Sequence, residues 1–176
     1  MALIGEAVVE EWLNRQGFFT IRGIKLGVQE IDILAVKLNQ NGAHDCRHIE
    51  VQISTRPISY ISNVPKNAQT ASTKANSAKK RTMSELRQGV LEWIEKKFDH
   101  PDKRALKSKL CTESWTRELV VHIVRHQEEL DMLSEAGVNL IRLEAILGEL
   151  KKTIGPISGA SGKDVVELMM LDELKH

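Results

Sequence analysis

The chain has 176 residues, of which 41% are hydrophobic and 28% charged, and its formal net charge is +1. This composition is typical of a soluble globular protein, and the length is most simply that of a single domain, residues 1–176, with a full core. No apolar run approaches the roughly 18 residues needed to span a bilayer, so the composition excludes an integral membrane protein.

The sequence also indicates a compartment and an uneven distribution of charge. The N-terminus carries early glutamates without the basic region of a signal peptide, and Cys46 and Cys111 stand apart without a metal-ligand spacing. We therefore expect a reduced, cytoplasmic protein. Residues 66–109 hold twelve Lys/Arg and five Asp/Glu, a net of +7. This stretch would contact a polyanion or, alternatively, form a solvated helical face.

The first predicted element is a helix over residues 4–16, which Gly17 ends. Glu6 precedes Val9 by three positions and Leu13 by seven, so it lies on the apolar stripe of this helix. A carboxylate on that stripe needs a partner or a metal ion. The alternative is an ordinary acidic residue favoured by the dipole at the helix N-terminus. The spacing does not choose between the two.

Three strands are predicted next, over residues 18–22, 28–38 and 48–54, with a turn at Asn41-Gly42 between the second and the third. The two longer strands carry acidic residues where a sheet normally places apolar ones.

These acidic residues are Asp32, inside an apolar run, and Glu50, which shares a strand face with His48 and Gln52 because side chains alternate along a strand. Antiparallel pairing would place Asp32 beside Glu50. Two adjacent carboxylates repel each other unless one is protonated or a cation lies between them. Hard oxygen ligands of this kind suit Mg²⁺ or Mn²⁺.

The middle of the chain is predicted to be helical and basic. Residues 66–81 are predicted as a polar helix with a basic face, and residues 84–98 as an amphipathic helix capped by Ser84. Residues 99–110 are predicted as a charged linker. The stretch 66–109 would thus be a helical basic insert within the domain.

The last third alternates strand and helix. A strand over residues 118–124, a helix over 127–136 and a strand over 138–143 predict a right-handed crossover between parallel strands. Helices over residues 144–153 and 163–174 would close the domain. We therefore predict an α/β fold with a mixed sheet of about five strands, antiparallel at the N-terminal hairpin and parallel at the far end, flanked by helices on both faces.

Four of these residues, Glu6, Asp32, Glu50 and Gln52, together indicate phosphodiester hydrolysis. One or two Mg²⁺ ions held by Asp32 and Glu50 would polarise the phosphate and lower the pKa of a bound water, which Gln52 could orient. The alternative is a polar sheet edge with ordinary solvent-facing acids. His48, on the Glu50 face, would touch a substrate or be a satisfied strand residue.

The same residues resemble a known superfamily. The motifs that carry the resemblance are Glu6, Trp12-Leu13, Gly17-Phe18, EIDILA at residues 30–35 and IEVQ at residues 49–52. They are similar to those of PD-(D/E)XK, or restriction-endonuclease-like, nucleases, nearest to the small resolvase-like proteins. The motif resemblance covers residues 4–54, and residues 115–152 match in the order of elements. It implies a restriction-endonuclease-like fold and a Mg²⁺- or Mn²⁺-dependent endonuclease acting on DNA.

By position, the resemblance makes Asp32 and Glu50 the metal ligands. Glu6 would be the helix carboxylate found in many members, binding a second metal through water. Gln52 stands where the superfamily usually has a lysine, although some active restriction enzymes also carry glutamine there.

A lysine from a neighbouring helix is the expected substitute, with Lys74 and Lys79 as candidates. Arg56 would contact a phosphate or be an exposed loop residue. The residues expected to contact nucleic acid are Arg56, Lys74, Lys79, Lys80 and Arg81.

Three functions are compatible with this sequence. The first is the DNA endonuclease, and the second, prompted by Gln52, is a non-catalytic nucleic-acid-binding protein that keeps the fold. The third, prompted by the acidic C-terminal third, is an interaction or assembly protein without DNA. Nucleases of this kind often act as homodimers because two strands are cut, although the sequence shows no seam for such a contact.

Overall fold

The computed structural model describes residues 2–152 and residue 164, and its centre is a single five-stranded sheet whose strands lie side by side in chain order. The strands are β1 (Phe19–Leu26), β2 (Gln29–Leu38), β3 (His44–Gln52), β4 (Trp115–Val121) and β5 (Val138–Arg142). The pairs β1–β2 and β2–β3 are antiparallel, and the pairs β3–β4 and β4–β5 are parallel. The predicted mixed α/β sheet is confirmed.

Within residues 2–152, five helices surround the sheet. They are α1 (Ala2–Arg15), α2 (Met83–Ile94), α3 (Pro101–Leu110), α4 (Gln127–Glu135) and α5 (Leu143–Leu150). A 3₁₀ turn at Lys66–Ala68 precedes α2, and a π-helical segment at Glu95–Asp99 continues it. Apart from residue 164, the helix predicted over residues 163–174 lies outside the described residues. None of the helices in the described part combines the length and apolar character that crossing a bilayer requires.

Alternation along the strands divides the core into two clusters. On one face of the sheet, Ile33, Ile49 and Val120 pack against α1 and α5. On the other, Leu119 and Val121 pack against α2 and α4. By the same alternation, the polar residues of β2 and β3 that the sequence singled out lie on the second face, beneath the π-helical segment and α3.

The sheet opens between β2 and β3. Their ladder ends at the pair Ile33 and Ile49. Each strand then continues beside its outer neighbour, β2 with β1 and β3 with β4. The first residues beyond the last pair are Asp32 on β2 and Glu50 on β3. We name this opening, bounded by Asp32 and Glu50, the sheet fork.

The helix predicted over residues 66–81 is not formed, so this prediction is wrong. After the 3₁₀ turn the chain is irregular until α2 begins. The hydroxyl of Thr70 accepts the backbone N–H of Thr73 at 3.1 Å, and the hydroxyl of Ser77 accepts that of Lys79 at 3.3 Å. Such local bonds compete with helical ones, which explains why a polar Ser/Thr-rich segment does not form the predicted helix.

The starts of α2 and α3 also differ from prediction. The linker predicted over residues 99–110 is wrong, because α3 begins with Pro101, whose missing N–H and fixed φ suit the first turn of a helix. Thr82, and not Ser84, caps α2. Its hydroxyl accepts the N–H of Glu85 at 3.2 Å, and the Glu85 carboxylate accepts the N–H of Thr82 at 2.7 Å.

Two helical glycines allow a matched test of packing. A methyl group on Gly89 in α2 would lie 2.6 Å from the backbone oxygen of Asn63, whereas one on Gly148 in α5 would meet no described atom within 4 Å. We expect Gly89→Ala to lower the free energy of unfolding by about 1–3 kcal/mol. Gly148→Ala should raise it by up to about 1 kcal/mol. Urea denaturation measures both, and equal stabilities would contradict the close contact at Gly89.

Candidate active site

Asp32 and Glu50 face each other across the sheet fork. Asp32 Oδ2 accepts the N–H of Val51 at 2.8 Å, so the carboxylate provides a hydrogen-bond partner for β3 where its ladder with β2 has ended. Glu50 is fully buried, and the two carboxyl groups lie close enough to shift each other's pKa. Burial raises the pKa of both groups, and the charge of Glu50 raises that of Asp32 further.

A lysine from the π-helical segment reaches this pair. Lys97 Nζ lies 2.5 Å from Glu50 Oε2. Burial lowers the pKa of Lys97, but attraction by Glu50 and Asp32 outweighs burial and raises the pKa overall. The lysine that contacts Glu50 is thus Lys97, and not Lys74 or Lys79, the two candidates named from the sequence. Lys74 and Lys79 are exposed in the irregular segment before α2.

The orientation of Lys97 depends on the next residue, Phe98. Its side chain is fully buried, with the ring centroid 4.7 Å from that of His48 and 5.7 Å from that of Trp93. These edge-to-face contacts fix the π-helical segment over β3. An extra residue in a helical turn changes the direction of its side chains, and such turns are frequent at functional sites.

Two buried lysines of α3 donate hydrogen bonds to carbonyl groups near the end of the π-helical segment. Lys103 Nζ donates to the backbone oxygen of Lys97 at 2.8 Å and to that of Glu30 at 2.5 Å, and it lies 3.6 Å from Glu50 Oε1. Lys107 Nζ donates to the carbonyl of Phe98 at 3.0 Å. Carbonyls at the end of a helix lack partners within it, and ammonium groups satisfy them well. Burial lowers the pKa of both lysines.

His48 supports Glu50 from within the protein. Its ring is fully buried, and its Nε2 atom lies 3.1 Å from Glu50 Oε1. Burial holds the pKa of His48 well below its ordinary value, so the ring is neutral and its Nε2–H donates to the carboxylate. Its Nδ1 atom has no hydrogen-bond partner among the described residues. Because no substrate can reach a fully buried ring, His48 is a structural residue.

Glu6 and Gln52 lie near the fork without joining the Asp32–Glu50 pair as ligands. Glu6 on α1 is 9% exposed. Burial is the main cause that raises its pKa, and the negative charge of Asp32 raises it further. Gln52 is half-buried at the end of β3 and lines a cleft together with Lys97. Within residues 2–152, no group of three or more His, Cys, Asp and Glu side chains is arranged to hold a metal ion.

Asp32 and Glu50 nevertheless fit one small, hard cation. Mg²⁺ is commonly held by one or two carboxylates, with waters and substrate phosphates completing its coordination. The raised pKa of each acid indicates that a negative charge is costly there, and a cation would relieve that cost. Because Lys97 already contacts Oε2 of Glu50, a cation would share or displace this contact.

The basic residues expected to bind DNA have different surroundings. Arg81 is engaged within the protein: its Nη1 atom donates to the backbone oxygens of Ser62 and Asn63 at 3.0 and 3.3 Å, and its guanidinium lies 3.9 Å from the ring centroid of Tyr60. The remaining candidates are exposed on the surface, and they are Arg56, Lys74, Lys79 and Lys80.

Lys97, Lys103 and Lys107 were not predicted from the sequence as residues of this site. One signal was available: Pro101 followed by charged residues is a common start of a helix, and Lys103 and Lys107 are four positions apart on one face of it. Nothing in the sequence distinguishes these buried lysines from the exposed ones beside them.

Comparison with known proteins adds little to this site. No protein-family model matches the chain, and no curated protein matches it. Among solved structures, it is similar to the crystal structure of a protein of unknown function, AF1548, with 13% sequence identity and a TM-score of 0.48 over 86% of this chain and 67% of the other. A likeness of this degree identifies neither a family nor an activity.

Asp32 should destabilise the fold at neutral pH. Its folded pKa lies above the ordinary value of 3.8, so the native state binds this proton more tightly than the unfolded chain does. The stability it contributes is therefore present at low pH and lost as pH rises through the raised pKa. Asp32→Asn keeps an oxygen for the N–H of Val51 and cannot ionise.

We therefore expect Asp32→Asn to unfold at higher urea concentration than the wild type at pH 7, with a difference that shrinks as pH falls toward 3.8. Urea denaturation across this pH range measures the effect. Asp131→Asn, on the exposed surface of α4, is the control. Lower stability of Asp32→Asn than of the wild type at pH 7 would contradict the assignment.

Lys103 and Lys109 allow a second comparison, because both lie on α3 but only Lys103 is buried. Lys103→Met leaves Glu50 with one fewer cation and two carbonyls without their donor, so we expect a loss of about 3–5 kcal/mol in the free energy of unfolding. Lys109→Met should change it by less than about 0.5 kcal/mol. Chemical denaturation tests this, and similar values for the two variants would refute the role of Lys103.

Proposed function

We propose that the protein is a Mg²⁺- or Mn²⁺-dependent endonuclease that hydrolyses phosphodiester bonds in DNA. The observation that carries this proposal is the contact of Lys97 Nζ with Glu50, beside Asp32, in the sheet fork. Two carboxylates and one ammonium group in a single opening are the charges that a cation and a reacting phosphate require. The resemblance of the sequence motifs to PD-(D/E)XK nucleases supports the same reaction.

Each residue of the fork would have a distinct role. Asp32 and Glu50 would hold the cation, which when bound polarises the phosphate and lowers the pKa of a water. Lys97 would leave Glu50 Oε2 and donate to a phosphate oxygen as negative charge develops on it. Gln52 would orient the attacking water. Lys103 would remain in place and position the backbone of Lys97.

The exposed cations before α2 would bind the DNA backbone. Lys74, Lys79 and Lys80, together with Arg56, would contact phosphates in a salt-dependent way without reading base sequence. A homodimer would allow both strands to be cut. The two free cysteines are consistent with activity in the reducing cytoplasm.

A non-catalytic DNA-binding protein is the second candidate, and the surroundings of Glu50 favour it. Its Oε1 atom contacts His48 and Lys103, and its Oε2 atom contacts Lys97. Both oxygens of this carboxylate thus have partners from the protein itself, without a metal ion. In that case the fork would be a structural ion-pair network, and the exposed cations alone would bind DNA.

The test is cleavage of plasmid, single-stranded and four-way-junction DNA in Mg²⁺ and in Mn²⁺. We expect the wild type to cleave and Lys97→Met to be at least about 100-fold slower. Lys37→Met, changed near the opposite end of β2, should match the wild type. Salt-dependent DNA binding without any cleavage would contradict the nuclease and support the second candidate. Absence of both DNA binding and metal binding would favour an interaction or assembly protein.

A further inference from the structure

A cleft of about 710 Å³ adjoins the sheet fork. Lys97, which contacts Glu50 in the fork, lines this cleft together with Gln52, so a group bound in the cleft lies next to the ammonium proposed to act on the phosphate. The other walls come from the start of β2, from residues 61–69, and from α2 with its π-helical continuation. We name this space the side cleft.

Amide side chains are unusually frequent in the side cleft. Four of its lining residues are Gln29, Gln52, Asn63 and Gln69. The Nε2 atom of Gln69 donates to the backbone oxygen of Val64 at 2.8 Å, which orients this amide. The side-chain amides of Gln29, Gln52 and Asn63 make no hydrogen bond with any other residue in the described part of the chain. An amide carries a donor and an acceptor side by side, which is the pattern that recognises the edge of a nucleobase.

The rest of the cleft suits the apolar and charged parts of a nucleotide. Ile61, Val64 and Trp93 contribute buried apolar surface to its walls, and such surface packs against the flat faces of a base. Three lysines (Lys66, Lys96 and Lys97) and two glutamates (Glu92 and Glu95) also line the cleft, so its charged side chains sum to a net positive charge that favours a phosphate. A volume of about 710 Å³ is within the range of sites that bind small organic ligands.

We propose that the side cleft binds an unpaired nucleotide next to the scissile phosphate, so that the substrate is single-stranded or branched DNA and not a continuous duplex. This inference rests on the proposed nuclease function and narrows its substrate. In a continuous duplex, the Watson–Crick edge of each base is paired and its faces are stacked. A base enters a separate pocket only when it is unpaired, or after the cost of unpairing and unstacking it.

The test compares a duplex with a substrate of the same sequence that carries a single-stranded flap. We expect the wild type to cleave the flap substrate at least about tenfold faster than the duplex. The double variant Gln29→Leu/Asn63→Leu should cleave the flap substrate about tenfold more slowly than the wild type. Gln40→Leu, exposed in the turn between β2 and β3, is the control and should keep the preference. Urea denaturation verifies that each variant is folded.

Binding of a fluorescent single-stranded oligonucleotide without divalent ions separates the two proposals. If DNA is cleaved but duplex and flap are cut equally, or if the double variant keeps the preference for the flap, the proposed nucleotide-binding role of the side cleft is refuted. The proposed nuclease function is then retained. If no DNA is cleaved, yet the double variant binds the oligonucleotide about tenfold more weakly than Gln40→Leu does, the cleft is supported and the nuclease is refuted. Absence of both cleavage and binding overturns both.

Discussion

The buried ammonium of Lys103 connects the three parts of the molecule that meet at the sheet fork. It donates to a carbonyl of β2 and to a carbonyl of the π-helical segment, and it lies within ion-pair distance of Glu50 on β3. A lysine with 1% exposure is rare because its desolvation is costly, so each of these contacts is needed to hold it there. The position of Lys97 depends on this arrangement, since Lys103 binds its carbonyl.

Burying charged groups at the fork costs free energy, and the rest of the fold offsets this cost. Burial raises the pKa of Glu6, Asp32 and Glu50 and lowers the pKa of Lys103. The charged form of each of these groups is therefore less favourable here than in water. The two apolar clusters on either face of the sheet provide the stability that permits such a site. A structural ion-pair network and an active site both have this signature, and only the response to metal and DNA separates them.

In the proposed function, the side cleft would recognise the substrate and the fork would carry out the reaction. Lys97 lines the cleft and contacts Glu50 in the fork, so a nucleotide bound among the amides would place its neighbouring phosphate near the two carboxylates. In this arrangement, exposed lysines outside the cleft would supply affinity without sequence preference, and the cleft would supply the preference for an unpaired strand.

The sequence by itself determined the strands, their acidic residues and the mixed character of the sheet, antiparallel at the N-terminal hairpin and parallel at the far end. The alternation along β3 and the apolar run around Asp32 are local patterns, and antiparallel neighbours in a hairpin can pair in few registers. The pairing that brings Asp32 beside Glu50 could therefore be predicted. The parallel pair β4–β5 followed for the same reason, because a strand, a short helix and a strand have one favoured crossover.

Only the tertiary structure decided which lysines serve the site. Lys97 contacts a residue 47 positions away, and Lys103 contacts one 73 positions away. The sequence does not show which side chains such distant segments bring together, and Lys74 and Lys79 were equally plausible by charge and spacing. The irregular course of residues 66–81 had a local cause in Ser/Thr hydrogen bonds. The burial of Lys103 has a cause distant in the sequence, because it follows from the packing of α3 over the fork.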